Sequence, residues 1–250
     1  MSNGPTLLPL GDGAAVAEAV VERILLDRRR HPDRPLGLAT GRTMEPVYRR
    51  LAARMADLPA SEAECLRQGW SSFNLDAYVG LPAADPRSFA AEMERQLVRP
   101  LGVDPHRVRL PDGMAADPEA EACRYAEAVA TAGGIGLQLL GLGLNGHVGF
   151  NEPPCLATAP CRVVVLSETT RRQNAGAFGG DPSAVPARAI TLGLRDILAA
   201  RSLLLVVTGA AKAPILKRLL QGDPPSPELP ASWLRLHHDV TVLTDRAALG

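Results

Sequence analysis

Short apolar runs alternate with longer amphipathic segments along this chain, and no other feature limits its possible folds as much. A short apolar run between turn residues predicts a buried strand, whereas apolar residues at helical spacing predict a helix. The alternation is typical of an α/β protein with a largely parallel sheet. The predicted strands lie in "RPLGLATG", "SSFNLDAYVGL", "IGLQLLGLG", "CRVVVL", "RAITLG", "SLLLVVTG" and "DVTVLT".

Four amphipathic segments predict helices: "AAVAEAVVERILLDRRR", "TMEPVYRRLAARM", "SFAAEMERQLVRPL" and "DPEAEACRYAEAVATA". In the second of these, we expect Thr43 to be the N-cap and Pro46 to lie in the first turn. The Pro-rich segment 222–232 is expected to be one surface loop. The whole chain, residues 1–250, is expected to be one domain.

Composition excludes several classes of protein. Lysine plus arginine and aspartate plus glutamate both number 27, so no bulk charge attracts nucleic acid or an anionic membrane. No apolar stretch reaches the roughly 18 residues that a membrane span requires, and the first residues lack a basic leader. The cysteines at 65, 123, 155 and 161 have neither metal nor disulfide spacing. We therefore expect a cytoplasmic protein with free thiols.

Three strand ends carry polar groups, and ligands of open α/β sheets bind at the carboxyl ends of strands. The first end is "ATGRT", where Thr40, Gly41, Arg42 and Thr43 precede a helix. Free N–H groups and the helix dipole could hold a phosphate there, although such turns also arise for steric reasons. The second end is "NLDAY", where Asp76 could cap a turn or act as a base.

The third strand end is "GLGLNGHVGFNEPP", residues 141–154. Its glycines allow close approach to a ligand, His147 titrates near neutrality, and Glu152 could orient the ring. Asn145 can donate and accept hydrogen bonds but takes up no proton. A histidine that only satisfies a loop carbonyl is the alternative. A metal site is disfavoured because no second ligand has suitable spacing, and His237 and His238 are expected in an ordinary loop.

These segments carry a resemblance to a known family. "LGLATGRT", "FNLDAYVGL", "GLGLNGHVGFNEP" and "VTGAAKA" occur in the order found in the glucosamine-6-phosphate deaminase (isomerase) family. The related 6-phosphogluconolactonases typically have "GHTASLFP" where this chain has "GHVGFNEP". The resemblance implies a three-layer α/β/α fold with a modified, largely parallel Rossmann-like sheet. It also implies chemistry without a cofactor or metal, and a possible homo-oligomer.

The resemblance also implies roles for individual residues. It places the base for proton transfer between C2 and C1 at Asp76, and the ring-opening histidine at His147, with Asn145 and Glu152 as its partners. The phosphate of a sugar phosphate is expected at the "TGRT" turn, residues 40–43, and at Lys212.

Departures from the family pattern concern mainly the phosphate. Arg42 replaces a small residue, and "NAGAF" has Gly176 where the family has a phosphate-binding arginine. We expect Arg42 to supply the missing cation, with Arg171 and Arg172 as rivals. Ala77 replaces an acidic residue that often follows the base. Because the printed sequence ends at Gly250, soon after its last predicted strand, we do not expect regulation by an acetylated sugar phosphate.

The predicted activity is conversion of glucosamine 6-phosphate and water to fructose 6-phosphate and ammonia. The alternatives are a 6-phosphogluconolactonase, an enzyme for another amino-sugar phosphate such as galactosamine 6-phosphate, and a non-catalytic sugar-phosphate sensor.

Overall fold

Most of the apolar runs form one large sheet in the computed structural model, which describes residues 4–221 and 223–250. The strands of this sheet are β1 (Thr6–Leu10), β2 (Leu36–Leu38), β3 (Ser72–Asn74), β5 (Val108–Arg109), β6 (Leu137–Gly141), β9 (Ser202–Val207) and β10 (Val240–Asp245). Their order is β1-β10-β9-β6-β2-β3-β5, and every neighbouring pair is parallel. The prediction of a largely parallel sheet is confirmed.

A second, three-stranded sheet contains the remaining strands, β4 (Asp76–Tyr78), β7 (Arg162–Val165) and β8 (Arg188–Thr191). Its pairs are antiparallel, in the order β4-β8-β7. The run that we predicted as one strand, "SSFNLDAYVGL", is therefore divided between two sheets at Leu75. The N–H of Leu75 donates to Leu38 O in the large sheet at 3.0 Å, and its carbonyl accepts from Leu192 N at 2.8 Å. Asp76 thus begins β4 where the two sheets meet.

Helices cover both faces of the large sheet, which confirms the three-layer prediction. They are α1 (Gly13–Arg30), α2 (Glu45–Ala56), α3 (Ala60–Gln68), α4 (Phe89–Met93), α5 (Arg99–Leu101), α6 (Pro118–Thr131), α7 (Glu168–Asn174), α8 (Leu194–Leu198), α9 (Ala213–Leu220) and α10 (Arg246–Leu249), with one π-helical stretch, Glu94–Val98, between α4 and α5. None of the helices in the described part of the chain is a candidate for a membrane span.

The start of α2 differs from the prediction. Pro46 lies in the first turn as expected, but the helix begins at Glu45, and Met44, not Thr43, is the N-cap. The reason is the preceding turn, in which Met44 N donates to Gly41 O at 2.8 Å, so that the chain is already turned when it passes Thr43. The side chain of Thr43 is left to line a cavity instead.

The Pro-rich segment is more than the predicted surface loop, although Gly222 at its start lies outside the described residues. Leu229 and Ala231 are buried, and Ala231 N donates to Gly146 O at 2.9 Å. The segment therefore packs against the turn that carries Asn145 and His147. Apolar side chains near its end supply the reason, since their burial removes apolar surface from water.

Two smaller predictions concern cysteine and histidine. All four cysteines are free thiols, as predicted. The ring of His237 contacts two backbone carbonyls, those of Asp239 at 3.0 Å and Ala200 at 2.8 Å. That arrangement agrees with the expected place of His237 in a connecting loop.

Candidate functional site

A cavity of about 1050 Å³ opens where β2, β6 and β9 end, next to the start of β4. β6 lies between β2 and β9 in the large sheet, and β3 lies beside β2. Their carboxyl ends therefore meet at one edge, which is where parallel α/β sheets bind ligands. The three polar strand ends that we singled out in the sequence are brought together here. Among the predicted site residues, those that line the cavity are Thr40, Gly41, Arg42, Thr43, Asp76, His147, Arg172 and Lys212.

The turn after β2 forms one wall of the cavity. Gly41 has a φ of +94°, in the left-handed region that favours glycine. Its N–H donates to Oε1 of Glu92 at 2.8 Å. The amide that we expected to be available for a phosphate is thus bound by a carboxylate of the protein.

Asp76 lies at the junction of the two sheets and is 7% exposed. Burial and the negative charge of Glu92 raise the pKa of Asp76 from 3.8 to about 7. No hydrogen bond to this carboxylate is formed within residues 4–221 and 223–250. Gly149 lies beside Asp76: a Cβ built on it would be in ordinary contact with Oδ2 of Asp76 at 3.7 Å, and its φ of +56° favours glycine. A carboxyl with a near-neutral pKa can accept and return a proton near pH 7.

The ring of His147 is held by Asn145. Oδ1 of Asn145 lies 2.6 Å from Nδ1 of His147 and also accepts from the His147 backbone N–H at 3.2 Å. Because a backbone N–H only donates, this atom of Asn145 is the oxygen, and Nδ1 must carry the ring proton. A Cβ on Gly143 would lie 2.3 Å from the ring, so only glycine allows this ring position.

Charge and burial keep His147 neutral. Burial lowers the pKa of His147 to about 4; the negative charge of Glu152 opposes this and the positive charge of Lys212 contributes to it. At pH 7 the imidazole is therefore uncharged. With its proton on Nδ1, its Nε2 has a free lone pair that can accept a proton.

Glu152 is not the hydrogen-bond partner of the ring that we expected. Its carboxylate accepts from Ser167 N at 2.8 Å and from the hydroxyls of Ser167 and Thr170, at the start of α7. Burial alone would raise the pKa of Glu152, but these hydrogen bonds outweigh burial and lower it. Glu152 therefore stays ionised and acts on His147 only through its charge.

Lys212 and Arg42 supply positive charge beside the turn. Lys212 ends a short 3-10 helix, Ala210–Lys212, after β9. Burial lowers the pKa of Lys212, and the positive charge of Arg42 lowers it further. Neither side chain forms an ion pair with any residue in the described ranges. An anion in the cavity could therefore neutralise both of them.

Arg171 and Arg172, the alternatives to Arg42 as the phosphate-binding cation, differ in where their side chains lie. Nη2 of Arg171 donates to Ser183 O at 3.0 Å, and Arg171 does not line the cavity, because α7 points it toward the neighbouring loop. Arg172 does line the cavity, but it forms an ion pair with Glu168 one helical turn earlier. Gly176 lies on the cavity wall with no atom within 4 Å of a Cβ built on it.

Glu92 and four aromatic residues at the cavity were not predicted from the sequence. Glu92 falls on the polar side of an amphipathic helix, so nothing local distinguishes it from a surface residue. Tyr78, Phe89, Phe150 and Phe178 line the cavity and pack together, with the Tyr78 and Phe89 ring centroids 4.6 Å apart. Tyr78 and Phe150 follow closely behind Asp76 and His147 in sequence, a signal that could have identified them.

Comparisons with known proteins agree with this geometry. The family model described as glucosamine-6-phosphate isomerases/6-phosphogluconolactonase matches residues 13–243. The glucosamine-6-phosphate deaminase of Streptomyces coelicolor is 41% identical over 237 residues, which is 95% of this chain and 88% of that protein.

Solved structures give the same picture. The structure of a monomeric glucosamine-6-phosphate deaminase superposes with a TM-score of 0.92 at 37% identity and covers 98% of this chain and 100% of its own. The 6-phosphogluconolactonase of Leishmania guyanensis has a TM-score of 0.75 at 22% identity, with 98% of both chains covered. The second likeness concerns the fold alone.

Proposed function

Since the chain belongs to the glucosamine-6-phosphate isomerase/6-phosphogluconolactonase family, we propose that it converts glucosamine 6-phosphate and water to fructose 6-phosphate and ammonia. One observation carries the proposal. The cavity combines a carboxyl of near-neutral pKa, Asp76, with a neutral histidine of defined tautomer, His147. An aldose–ketose isomerisation that begins from a closed sugar ring needs both.

His147 opens the ring in this proposal. Its Nε2 takes the proton of the anomeric hydroxyl and passes a proton to the ring oxygen, so that the C1–O5 bond breaks and a free aldehyde forms at C1. Asn145 holds Nδ1–H throughout, which keeps the lone pair on Nε2. The nearby charge of Glu152 stabilises the imidazolium that forms transiently.

Asp76 performs the proton transfer between carbons. Its carboxylate removes the proton from C2, and O1 takes up a proton from solvent, giving an enolamine. Asp76 then returns its proton to C1 while the amino nitrogen releases a proton to solvent, which leaves an imine at C2. Water adds to that imine, and ammonia leaves as the ketone of fructose 6-phosphate forms. A base whose pKa lies near the working pH suits both halves of this transfer.

The phosphate is assigned to the turn at residues 40–43 and to Lys212, with Arg42 as the cation that compensates for Gly176. Support comes from the position of Lys212 and Arg42 at the cavity, without ion pairs to the rest of the described chain. Arg172 is the remaining rival because it also lines the cavity. A charge-assisted hydrogen bond from such a cation contributes about 1.5 to 3 kcal/mol.

Two further proposals concern the setting of the enzyme. We place it in the cytoplasm, where free thiols such as its four cysteines stay reduced. A homo-oligomer remains a prediction, although the similar solved deaminase is described as monomeric. Light scattering of the purified protein measures the mass in solution and tests it.

Ammonia release from purified protein tests the activity. The substrates are glucosamine 6-phosphate and galactosamine 6-phosphate, and hydrolysis of 6-phosphogluconolactone is measured in parallel. We expect ammonia from the first substrate at a rate well above that from the second, and negligible lactone hydrolysis. Lactone hydrolysis without ammonia would favour the lactonase, and binding of sugar phosphate without either reaction would favour the sensor.

A further inference from the structure

Glu92 occupies a position that the chemistry above does not use. It lies in α4, just before the π-helical stretch and 51 residues beyond Gly41 in sequence. Its side chain lines the cavity. Its Oε1 accepts from Gly41 N at 2.8 Å. That amide belongs to the turn to which the substrate's phosphate is assigned.

The surroundings of Glu92 act on its carboxyl group in both directions. The pKa of Glu92 is raised overall, chiefly by burial and also by the negative charge of Glu45, although the hydrogen bond from the Gly41 amide and the positive charge of Arg95 lower it. No ion pair within 4.0 Å joins Glu92 to a cation in the described part of the chain. The pKa of Asp76 is raised by the same carboxylate, so its negative charge reaches into the cavity.

A phosphate and a carboxylate compete for one amide proton, and they repel each other at close range. Charge-assisted hydrogen bonds are the strongest ones that a turn can offer to an anion. The anion that holds the amide therefore excludes the other from it. In the same cavity, Arg42 and Lys212 favour an incoming phosphate.

We propose that Glu92 is a specificity-determining residue, an internal competitor that a substrate phosphate must displace from the Gly41 amide. The inference rests on the proposed function only in taking a phosphate as the group that the turn binds. Displacement costs the Glu92 hydrogen bond and brings two anions together, so this chain selects substrates whose phosphate is held firmly by Arg42 and Lys212. Weakly anionic sugars leave Glu92 in place and gain no contact at the turn.

Binding of inorganic phosphate, measured by calorimetry on the full-length protein near neutral pH, tests the inference without requiring turnover. The variants are Glu92→Gln, which removes the charge but keeps the shape, and Glu92→Ala, which also frees the amide. Glu94→Gln is the matched control, because Glu94 lies two residues away, pairs with Arg99 at 2.9 Å and neither lines the cavity nor binds the amide.

We expect both Glu92 variants to bind phosphate about tenfold more tightly than the unmodified protein, the ratio that corresponds to one charge-assisted hydrogen bond. The control should stay within about twofold, as is usual for an exposed pair. With glucosamine 6-phosphate, KM should fall in the Glu92 variants while kcat changes less, because the lost competition concerns binding.

Equal or weaker phosphate binding by both Glu92 variants overturns the inference, as does an equal gain in the Glu94 control or no measurable phosphate binding by any of the proteins. The phosphate-binding and ammonia-release measurements distinguish a failure of the competitor role from a failure of the proposed activity. If the Glu92 variants bind phosphate more tightly but no protein releases ammonia, the competitor role stands and the proposed activity is wrong.

Discussion

Replacing Asp76 by asparagine should make the protein more stable at neutral pH while it removes activity. In the folded protein the pKa of Asp76 is raised from 3.8 to about 7 by burial and by Glu92. At about 1.4 kcal/mol per pH unit, ionising Asp76 costs about 4 kcal/mol more in the folded protein than in the unfolded chain. Asparagine has nearly the same shape and carries no charge, so it avoids this cost.

The contribution of Asp76 to the free energy of unfolding depends on pH. Between about pH 4 and about pH 7 the folded protein keeps the proton on Asp76 while the unfolded chain loses it, so this group's contribution to stability falls as the pH rises. Above about pH 7, the pKa of Asp76 in the folded protein, the contribution of Asp76 to stability stays constant at its lowest value. The advantage of Asp76→Asn should therefore be small near pH 4 and should grow by about 2 to 3 kcal/mol between about pH 5 and about pH 8.

Urea unfolding at about pH 5 and about pH 8, with linear extrapolation to water, measures this difference. Asp85→Asn is the control, because Arg87 holds the pKa of Asp85 at about 2, below the window, and its effect should be the same at both pH values. Catalysis by Asp76→Asn should fall by about 10² to 10⁴, as loss of a general base predicts. A stability gain for Asp76→Asn that is equal at both pH values would refute the raised pKa, and near-normal turnover would refute the assignment of the base.

Four other outcomes follow from the same geometry. His147→Gln should slow turnover of the cyclic sugar by about 10² or more, but should slow an open-chain analogue far less; equal losses on both substrates would contradict a ring-opening role. Arg42→Ala should raise KM about tenfold with a smaller change in kcat. An unchanged KM would show that another cation binds the phosphate. Gly176→Arg should fit the open space at that wall and lower KM for the sugar phosphate; steady-state kinetics with a higher KM would show that no phosphate oxygen lies within its reach. In pH–rate profiles of the wild type, kcat/KM should rise with an inflection near pH 7 as Asp76 loses its proton, and Glu92→Gln should move the inflection to lower pH because it removes a negative charge. An inflection at an unchanged pH would show that the charge of Glu92 does not raise the pKa of Asp76.

The sequence by itself was sufficient for the five inner strands of the large sheet, β10, β9, β6, β2 and β3, and for the edge at which the site forms. It did not predict the two outermost strands, β1 and β5, which are short or interrupted by proline. A run such as that in β9, where Leu203–Val207 are all buried, has one stable place, inside a sheet covered on both faces. Once β2, β3 and β6 are parallel neighbours, their carboxyl ends must meet, so Asp76, His147 and the turn at Gly41 come together. These predictions succeed because they depend on local apolar pattern and on a general rule of sheet geometry.

Tertiary structure alone decided what each polar group does. Burial, which follows from the packing of distant segments, raises the pKa of Asp76 to about 7 and lowers the pKa of His147 to about 4, so that His147 is uncharged at neutral pH. Glu92 reaches the Gly41 amide across 51 residues of sequence. The carboxylate of Glu152 is directed to α7 instead of the ring of His147. Hydrogen-bond partners and pKa values depend on distances of a few ångströms between segments far apart in the chain, and a local sequence pattern carries no information about such distances.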